Sequence, residues 1–397
     1  MGYGSRYGPW KYTILPEPRL ASELARLSSA TRVGNADCVS FQPCPNPEEA
    51  SQDRYVVQDW QLAGGVWRFA AIFDGHAGAE MADHTVQNLP SHVHDALEAF
   101  AKADVHKENA SYSSDISTVL SSAISEFDDA SLAELQSLFP GGLEEIATLS
   151  DKEISNIVNS PENLPKVVRG MRGTTALLSL VDPSGENLWV ASLGDCQAGK
   201  SLTSAGMWNA SLLSSNHNGD NPAEAERVRK EHPGEPECIL RNRVFGAMAL
   251  TRAIGDYVFR LPRVWADRIF MKSKIPFRFH SVVQEFIVRN LTPPYMNNEA
   301  DIRHVRLKSS GDDANSEHLL VMCSDGLIDL YSDRDTLQES ATHWVKVVGR
   351  DGGEGNLALR LLRDALGGGD LEKVSRMLTV EMFERWMDDT TIIVQRL

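Results

Sequence analysis

Aspartates recur in this chain at the points where apolar, strand-like runs meet loops. A glycine is adjacent in three cases. The aspartates in such places are Asp37, Asp74, Asp195, Asp325, Asp388 and Asp389. Any one of them alone is typical of a turn. Two packed sheets bring strand ends together at one edge, however, so we expect these distant carboxylates to converge there.

Converged carboxylates repel one another unless a cation lies between them. An all-oxygen ligand set suits Mg²⁺ or Mn²⁺. Zinc is disfavoured because the cysteines and histidines are not clustered, and His76 is the only imidazole that lies in a suitable place. Two such ions about 3.5–4 Å apart promote in-line displacement at phosphorus and lower the pKa of a water molecule. The acids therefore predict a metal-dependent hydrolase of phosphate esters.

The elements that must position these acids are predicted from short β-type runs. Strands are predicted at 54–60, 66–73, 174–181, 187–193, 318–324 and 391–397. Gly64 and Gly65 separate the first two strands, and DPSGE separates the next two, as in hairpins. An apolar face at 116–127 and the run 357–366 predict helices, and Asn221 before Pro222 predicts a helix start.

The domain organisation is predicted to be one compound domain with an N-terminal extension. The chain has 397 residues, of which 42% are hydrophobic, and it lacks internal repeats or a long low-complexity linker. We expect an extension at 1–30 and a domain at 31–397, with inserts at about 85–168 and 260–313. The second insert is either a lid or docking surface or a plain surface excursion.

Charge and cysteine content narrow the functional classes. The net charge of −16 argues against a nucleic-acid partner, because the phosphate backbone is bound by a positively charged surface. Five cysteines, none paired at redox or zinc-site spacing, favour a reducing intracellular compartment. No apolar run is long enough for a membrane span.

Six motifs in order make the chain resemble a known family. They are FDGHAG, RGTTALLSL, SLGD, RVFGAMALTRAIGD, CSDGLIDL and DDTTIIV. In order and spacing they resemble the metal-dependent protein phosphatases of the type 2C (PPM) family, over residues 30–397. Two further segments, 213–233 and 292–307, resemble the pyruvate dehydrogenase phosphatase-like members most.

The resemblance implies an α+β fold, a sandwich of two mostly antiparallel β-sheets flanked by α-helices in αββα order. It also implies that a metal-bridging hydroxide hydrolyses phosphoserine and phosphothreonine. Two ions, Mg²⁺ or Mn²⁺, would occupy the core site, with a weaker third. The implied metal residues are Asp74, Gly75, Asp325 and Asp388, with Asp37, and with Asp195 at the third ion.

The same resemblance implies the catalytic residues and their supports. Arg32 would bind phosphate, and His76 would protonate the leaving oxygen. Thr175, Asp329 and Asp389 would support the site. One departure is Ala36, which precedes Asp37 where the family has a glutamate that helps to hold the second metal.

The predicted function is a protein serine/threonine phosphatase with a phosphoprotein substrate. The alternative is a low-activity pseudophosphatase that acts as a binding or regulatory module, which Ala36 favours. We expect a monomer with no nucleic-acid partner and no membrane span. Its expected compartment is the cytoplasm, with the mitochondrial matrix as the alternative that the subfamily resemblance suggests.

Overall fold

The computed structural model describes residues 10–62, 64–103, 112–204, 207–279, 281–307, 318–331, 336–349 and 355–397. The strands are β1 Thr31–Val33, β2 Ala36–Phe41, β3 Arg54–Leu62, β4 Gly65–Phe73, β5 Gly75–His76, β6 Gly173–Thr174, β7 Ala176–Val181, β8 Asn187–Leu193, β9 Gln197–Ser204, β10 Met207–Leu212, β11 Ile239–Leu240, β12 Arg243–Val244, β13 Ile254–Gly255, β14 Asp301–Arg306, β15 His318–Cys323 and β16 Thr390–Arg396. These strands form two large antiparallel sheets and two small ones.

The helices lie mainly between the strands in sequence. They are α1 Arg19–Leu27, α2 Glu80–Ala103, α3 Tyr112–Gln136, α4 Gly142–Thr148, α5 Asp151–Val158, α6 Leu164–Gly170, α7 Pro222–Glu231, α8 Arg263–Arg268, α9 Val283–Phe286, α10 Asp325–Leu330, α11 Leu337–Val348, α12 Leu357–Leu366 and α13 Leu371–Thr379. Among the described residues, none of the helices combines the length and the hydropathy that a membrane span requires.

The two large sheets pack against each other. One has the strand order β1-β2-β16-β15-β9-β10 and the other β14-β8-β7-β4-β3. Alternate side chains of their facing strands, such as Ile72, Val190 and Ile393, share one buried cluster. Because successive side chains of a strand point to opposite faces, the remaining ones face outward and need helices to cover them.

Helices cover both outer faces. On the five-stranded sheet, Phe69 and Trp189 pack with α2 and α3 residues such as Leu89 and Leu120. On the six-stranded sheet, Val321 and other strand residues pack with α1 and α10–α13. The layers are therefore α, β, β and α, which confirms the predicted fold class.

The predicted elements are present with small shifts at their ends. The run 66–73 is β4, 187–193 is β8, and 391–397 is β16 within one residue at each end. The Asn221 side chain accepts a hydrogen bond from the Ala223 N–H and so caps α7, as predicted. Helix α12 ends at Gly367, which adopts a positive φ.

The described part of the predicted extension packs on the body, because Leu20 and Leu24 of α1 are buried beside α12 and α13. The region 85–168 contributes α3 to the outer helical layer. The region 260–313 includes β14, which pairs with β8 as the edge strand of its sheet. The division into an extension and a domain with two inserts stays a prediction.

Candidate active site

Three aspartates from different strand ends meet at one edge of the sandwich. Asp74 follows β4, Asp195 follows β8, and Asp325 begins α10 just after β15. One carboxylate oxygen from each of the three lies within 4.8 Å of those from the other two. Because β4 and β8 both run antiparallel to β7, they are parallel to each other and end at the same edge. These three residues therefore converge as the sequence predicts for aspartates at strand ends.

An acidic cavity of about 470 Å³ opens over this cluster. Of the residues predicted for the site, it is lined by Asp74, Gly75, His76, Thr175, Asp195, Asp325 and Asp388. Asp329 lies one helical turn after Asp325 on α10. Burial, followed by the Asp388 and Asp195 carboxylates, raises the pKa of Asp329. Asp329 therefore interacts electrostatically with the cluster.

The electrostatics of the cluster are those of crowded, buried acids. Burial, followed by the nearby carboxylates, raises the pKa of Asp74 and of Asp325 well above the ordinary range. Burial also raises the pKa of Asp195, although the Asn218 amide donates to its Oδ2 at 2.8 Å and opposes that shift. A carboxylate cluster of this kind suits a hard divalent cation.

Asp53 is a further acid beside the cluster. It directly precedes β3, and Arg54 at the start of that strand pairs with Phe73, so Asp53 lies near the end of β4. Its side chain is 3% exposed, and neither carboxylate oxygen accepts a hydrogen bond. Burial, then the Asp389 carboxylate, raises its pKa to about 7. The nearby Ser324 and Thr391 hydroxyls oppose this shift. In the structure, however, Ser324 donates to the Asp389 carbonyl and Thr391 to Ser40 Oγ, each at 3.3 Å.

Two predicted supporting residues hold the backbone around these acids. The Asp74 N–H donates to Thr175 Oγ1 at 3.1 Å, and the Thr175 N–H donates to the Asp74 carbonyl at 2.9 Å. Asp389 accepts hydrogen bonds from the Gln42 amide and the Gln52 N–H, both at 2.8 Å. Asp389 thereby ties the segment before β3 to the segment before β16.

His76 is paired with a carboxylate that the sequence analysis did not include in the site. Its Nε2 lies 2.6 Å from Oδ2 of Asp256, which is wholly buried. Burial lowers the pKa of His76, but Asp256 more than offsets this effect and the pKa is raised. A Cβ at Gly173 would lie 2.2 Å from both of these atoms, so only glycine permits this close pair.

Two predicted site residues are not brought to the cluster. Arg32 and Asp37 pair with each other at 2.5 Å across the β1–β2 hairpin, and neither lines the acidic cavity. Asp37 also accepts from the Leu357 N–H and from Arg396. Asp37 lies opposite Val394, four residues along β16 from Thr390, which is about 13 Å at about 3.3 Å per residue. The strand register thus separates Asp37, and Ala36 beside it, from the edge where the acids meet.

With this geometry in hand, comparison with known proteins identifies the family. A model of the family "Protein phosphatase 2C" matches residues 96–347, more than half of the chain. The chain belongs to the protein phosphatase 2C family. It is accordingly a protein serine/threonine phosphatase, as the sequence predicted.

Curated relatives of the phosphatase carry the same family name or that of a more specific enzyme. A protein phosphatase 2C homolog of Schizosaccharomyces pombe is 26% identical over 393 residues, 89% of this chain and 79% of that protein. The mitochondrial pyruvate dehydrogenase [acetyl-transferring]-phosphatase 1 of Saccharomyces cerevisiae is 30% identical over 67% of this chain and 42% of that protein. The human mitochondrial pyruvate dehydrogenase [acetyl-transferring]-phosphatase 2 is 28% identical over 56% of this chain and 47% of that protein. The chain thus spans less than half of these pyruvate dehydrogenase phosphatases.

Solved structures share the fold of this phosphatase. A serine-threonine phosphatase 2C from Toxoplasma gondii superposes with a TM-score of 0.52 at 15% identity, over 98% of this chain and 99% of that one. A C. elegans sex-determining protein superposes with the same TM-score at 16% identity, over 92% of this chain and 65% of that one. Nothing in these comparisons favours the pseudophosphatase alternative.

Sequence reasoning about the phosphatase missed Gln52, Asp53, Asp256 and Arg385. Gln52 and Arg385 line the acidic cavity, and Gln52 Oε1 accepts from the Gly78 N–H at 2.6 Å, before α2. Asp53 had a signal, since it directly precedes the predicted strand 54–60. Asp256 ends the motif RVFGAMALTRAIGD, but an aspartate at that place is also compatible with a charge at a helix end.

Proposed function

We propose that this phosphatase holds two divalent ions, Mg²⁺ or Mn²⁺, in the acidic cavity and hydrolyses phosphoserine and phosphothreonine of protein substrates there. The observation that carries the proposal is the convergence of Asp74, Asp195 and Asp325 within 4.8 Å. The fit of a cation rests on the buried Asp53, whose carboxylate oxygens accept no hydrogen bond in the structure and whose pKa burial and the Asp389 carboxylate raise despite two nearby hydroxyls. Buried carboxylates without a positive partner are costly, and oxygen ligands are those that these ions prefer.

The proposed ligands are the residues that line the cavity. Asp74 and the Gly75 carbonyl would hold one ion, and Asp325 and Asp388 the other, with Asp74 shared. Asp195, with Asp329, would hold a weaker third ion. When bound, such ions lower the pKa of a water molecule and neutralise charge on the phosphate.

We assign to Asp53 the place that the sequence analysis gave to Asp37. The dipeptide Gln52-Asp53 then corresponds to the family's Glu-Asp, with glutamine as the departure in place of Ala36. The support is the burial of Asp53 beside Asp389 and its position next to the end of β4. The Asp53 carboxylate would accept hydrogen bonds from water around the ions.

His76 is the proposed general acid. Asp256 engages Nε2, which leaves Nδ1 to give a proton to the departing seryl or threonyl oxygen. The buried Asp256 fixes the ring and stabilises its protonated form, as a carboxylate partner does. Asp256 is therefore a positioning residue, and His76 is the residue that meets the leaving group.

Of the three arginines that line the cavity, Arg243, Arg278 and Arg385, we propose Arg385 for phosphate binding in place of Arg32. The Arg385 guanidinium lies 4.0 Å from Asp388 Oδ1, beside the proposed metal ligands. It is held by Glu49 at 3.1 Å, Asp389 at 3.0 Å and the Ala50 carbonyl at 2.8 Å. A guanidinium has five N–H donors, so hydrogens remain for a phosphate oxygen.

The experiment is hydrolysis of a phosphothreonine peptide by enzyme stripped of metal with a chelator and then dialysed. We expect activity to be lost and to return with Mn²⁺ or Mg²⁺, while a phosphotyrosine peptide of the same sequence is hydrolysed far more slowly. Full activity of the stripped enzyme would contradict the proposal.

The compartment remains a proposal with two alternatives, the cytoplasm and the mitochondrial matrix. The mitochondrial names of the yeast and human pyruvate dehydrogenase phosphatases support the second. Fractionation of cells that produce the tagged full-length protein distinguishes the two. The monomeric state is likewise a proposal, and sedimentation of the purified protein tests it.

A further inference from the structure

A second, smaller cavity adjoins the acidic cavity. It has a volume of about 270 Å³ and is formed within residues 270–284. Phe279 and Ser281 line both cavities, so the two spaces share a boundary. Most of its other lining side chains are apolar, among them Met271, Phe277 and Val282. We call it the apolar pocket.

The aromatic wall of the apolar pocket is held in place by packing. Phe277 stacks on Phe279 with ring centroids 5.7 Å apart and meets the buried Phe270 edge-on at 5.8 Å. Phe279 in turn meets Phe259 and Phe286 edge-on. Aromatic pairs in these geometries attract each other, so the pocket is preformed.

Two side chains of the same pocket are left in solvent. Val282 is 53% exposed and Met271 is 39% exposed. Exposed apolar groups beside a preformed concave surface are typical of a site that a partner covers. The partner group must be small, because pockets for drug-sized ligands occupy about 300–1,000 Å³, and this one is below that range.

We propose that the apolar pocket binds one large aliphatic or aromatic side chain of the substrate protein, a few residues from the phosphorylated residue. The inference rests on the proposed function, which places the phosphorylated residue in the acidic cavity. A substrate chain that leaves that cavity past Phe279 and Ser281 enters the apolar pocket directly. The phosphatase would therefore prefer phosphorylation sites with an apolar neighbour on one side.

A peptide series tests the proposal. One leucine is moved through the four positions on each side of a phosphothreonine in an alanine and serine background, and kcat/KM is measured with Mn²⁺. We expect one position, or two adjacent ones, to raise kcat/KM about tenfold over the leucine-free peptide, the scale of apolar discrimination by a pocket. In Val282→Glu that ratio should fall to about one.

The matched control is Val66→Glu, another partly exposed valine at 40%, at the start of β4 and so far from the strand end that carries Asp74. This variant should keep the leucine preference of the wild type. Circular dichroism of both variants checks that they fold, and Met271→Glu repeats the test if Val282→Glu does not fold.

The outcomes separate this inference from the function on which it rests. Hydrolysis of every peptide at one rate would overturn the apolar pocket but leave the phosphatase site intact. Failure to hydrolyse any peptide would overturn the proposed function itself. A wild-type dimer that Val282→Glu converts to monomer, with no leucine preference, would show that a second copy covers the pocket and would also overturn the proposal.

Discussion

Two regions of this molecule bury aspartates in opposite electrostatic surroundings. Asp37, in β2, is wholly buried, and it accepts hydrogen bonds from Arg32, Arg396 and the Leu357 N–H. Burial alone would raise its pKa, but these donors lower it below the ordinary range. Asp53, at the edge of the sandwich, is buried almost as fully without such donors, and its pKa is raised.

The contrast between these regions distinguishes a buried acid with a structural role from one suited to metal binding. Burial is common to both regions, and so is a place in or beside a strand. In the second region Arg385 pairs with Asp389, but Asp53 makes no ion pair among the described residues. Neither do Asp74, Asp195 and Asp325, each of which places one carboxylate oxygen within 4.8 Å of the others. A cation that the protein itself does not supply is the simplest way to neutralise that charge.

Substitution of Asp74 in the acidic region should have the strongest effect on activity. Asp74→Asn should lower kcat/KM on a phosphothreonine peptide about a thousandfold or more, because metal ions supply several kcal/mol of transition-state stabilisation and about 1.4 kcal/mol is tenfold. Asp37→Asn should retain most activity, because Asp37 pairs with arginines instead. Comparable losses in the two folded variants would remove the distinction between the regions.

The next effect concerns His76, the imidazole among the described residues that line the acidic cavity. His76→Ala should slow hydrolysis of a phosphoserine peptide about 10²–10⁴-fold, the usual worth of a positioned general acid. An aryl phosphate, whose leaving group needs little proton assistance, should be affected much less. Asp256→Asn should show the same leaving-group pattern in weaker form. Equal losses on both substrates would remove His76 from the acid role.

A smaller effect concerns Asp53 and the sign of its contribution to stability. Asp53→Asn should raise the half-saturating Mn²⁺ concentration about 10–100-fold, as losses beside metal ligands do. In chelator-treated protein the same variant should melt at a higher temperature than the wild type, because a buried charge without a partner has been removed. A lower melting temperature in the metal-free state would argue that Asp53 is paired after all.

The last effect concerns the contribution of Asp37 to stability. Asp37→Asn should lose about 1–3 kcal/mol of stability, since hydrogen bonds between charged groups contribute on that order. Its melting temperature should fall both with and without metal, and its Mn²⁺ requirement should not change. Thermal melts under both conditions, read beside those of Asp53→Asn, show whether the two buried aspartates act with opposite sign.

The sequence predicted the strands and the converging acids because both depend on local signals, whereas the sandwich is what the resemblance to the type 2C family implies. The runs before Asp74 and Asp195 are apolar and bounded by turn residues, and strand ends in a sandwich share an edge. The resemblance places Asp37 in the site because Ala36-Asp37 stands where the family has Glu-Asp, and Asp37 also begins a strand-like run. The register of β2 against β16, which carries Asp37 away from the edge, is a long-range pairing that no local pattern encodes.

Asp53 and Asp256 escaped prediction for different physical reasons. The segment before Asp53 has three prolines, Pro43, Pro45 and Pro47, and a short 3₁₀ helix, so no strand pattern marks its approach to the site. Asp256 has a positive φ and reaches His76 only because Gly173 lacks a side chain. Such a contact, between residues 180 positions apart, depends on tertiary packing.

Calorimetric titration of metal-free protein with Mn²⁺ tests the central claim most directly, because it needs no substrate. The account predicts that the wild type and Asp37→Asn bind at least two ions with similar affinity, and that Asp74→Asn loses most of this binding while remaining folded. Binding by Asp74→Asn equal to that of the wild type would contradict the claim that the acids at the sandwich edge form the metal site.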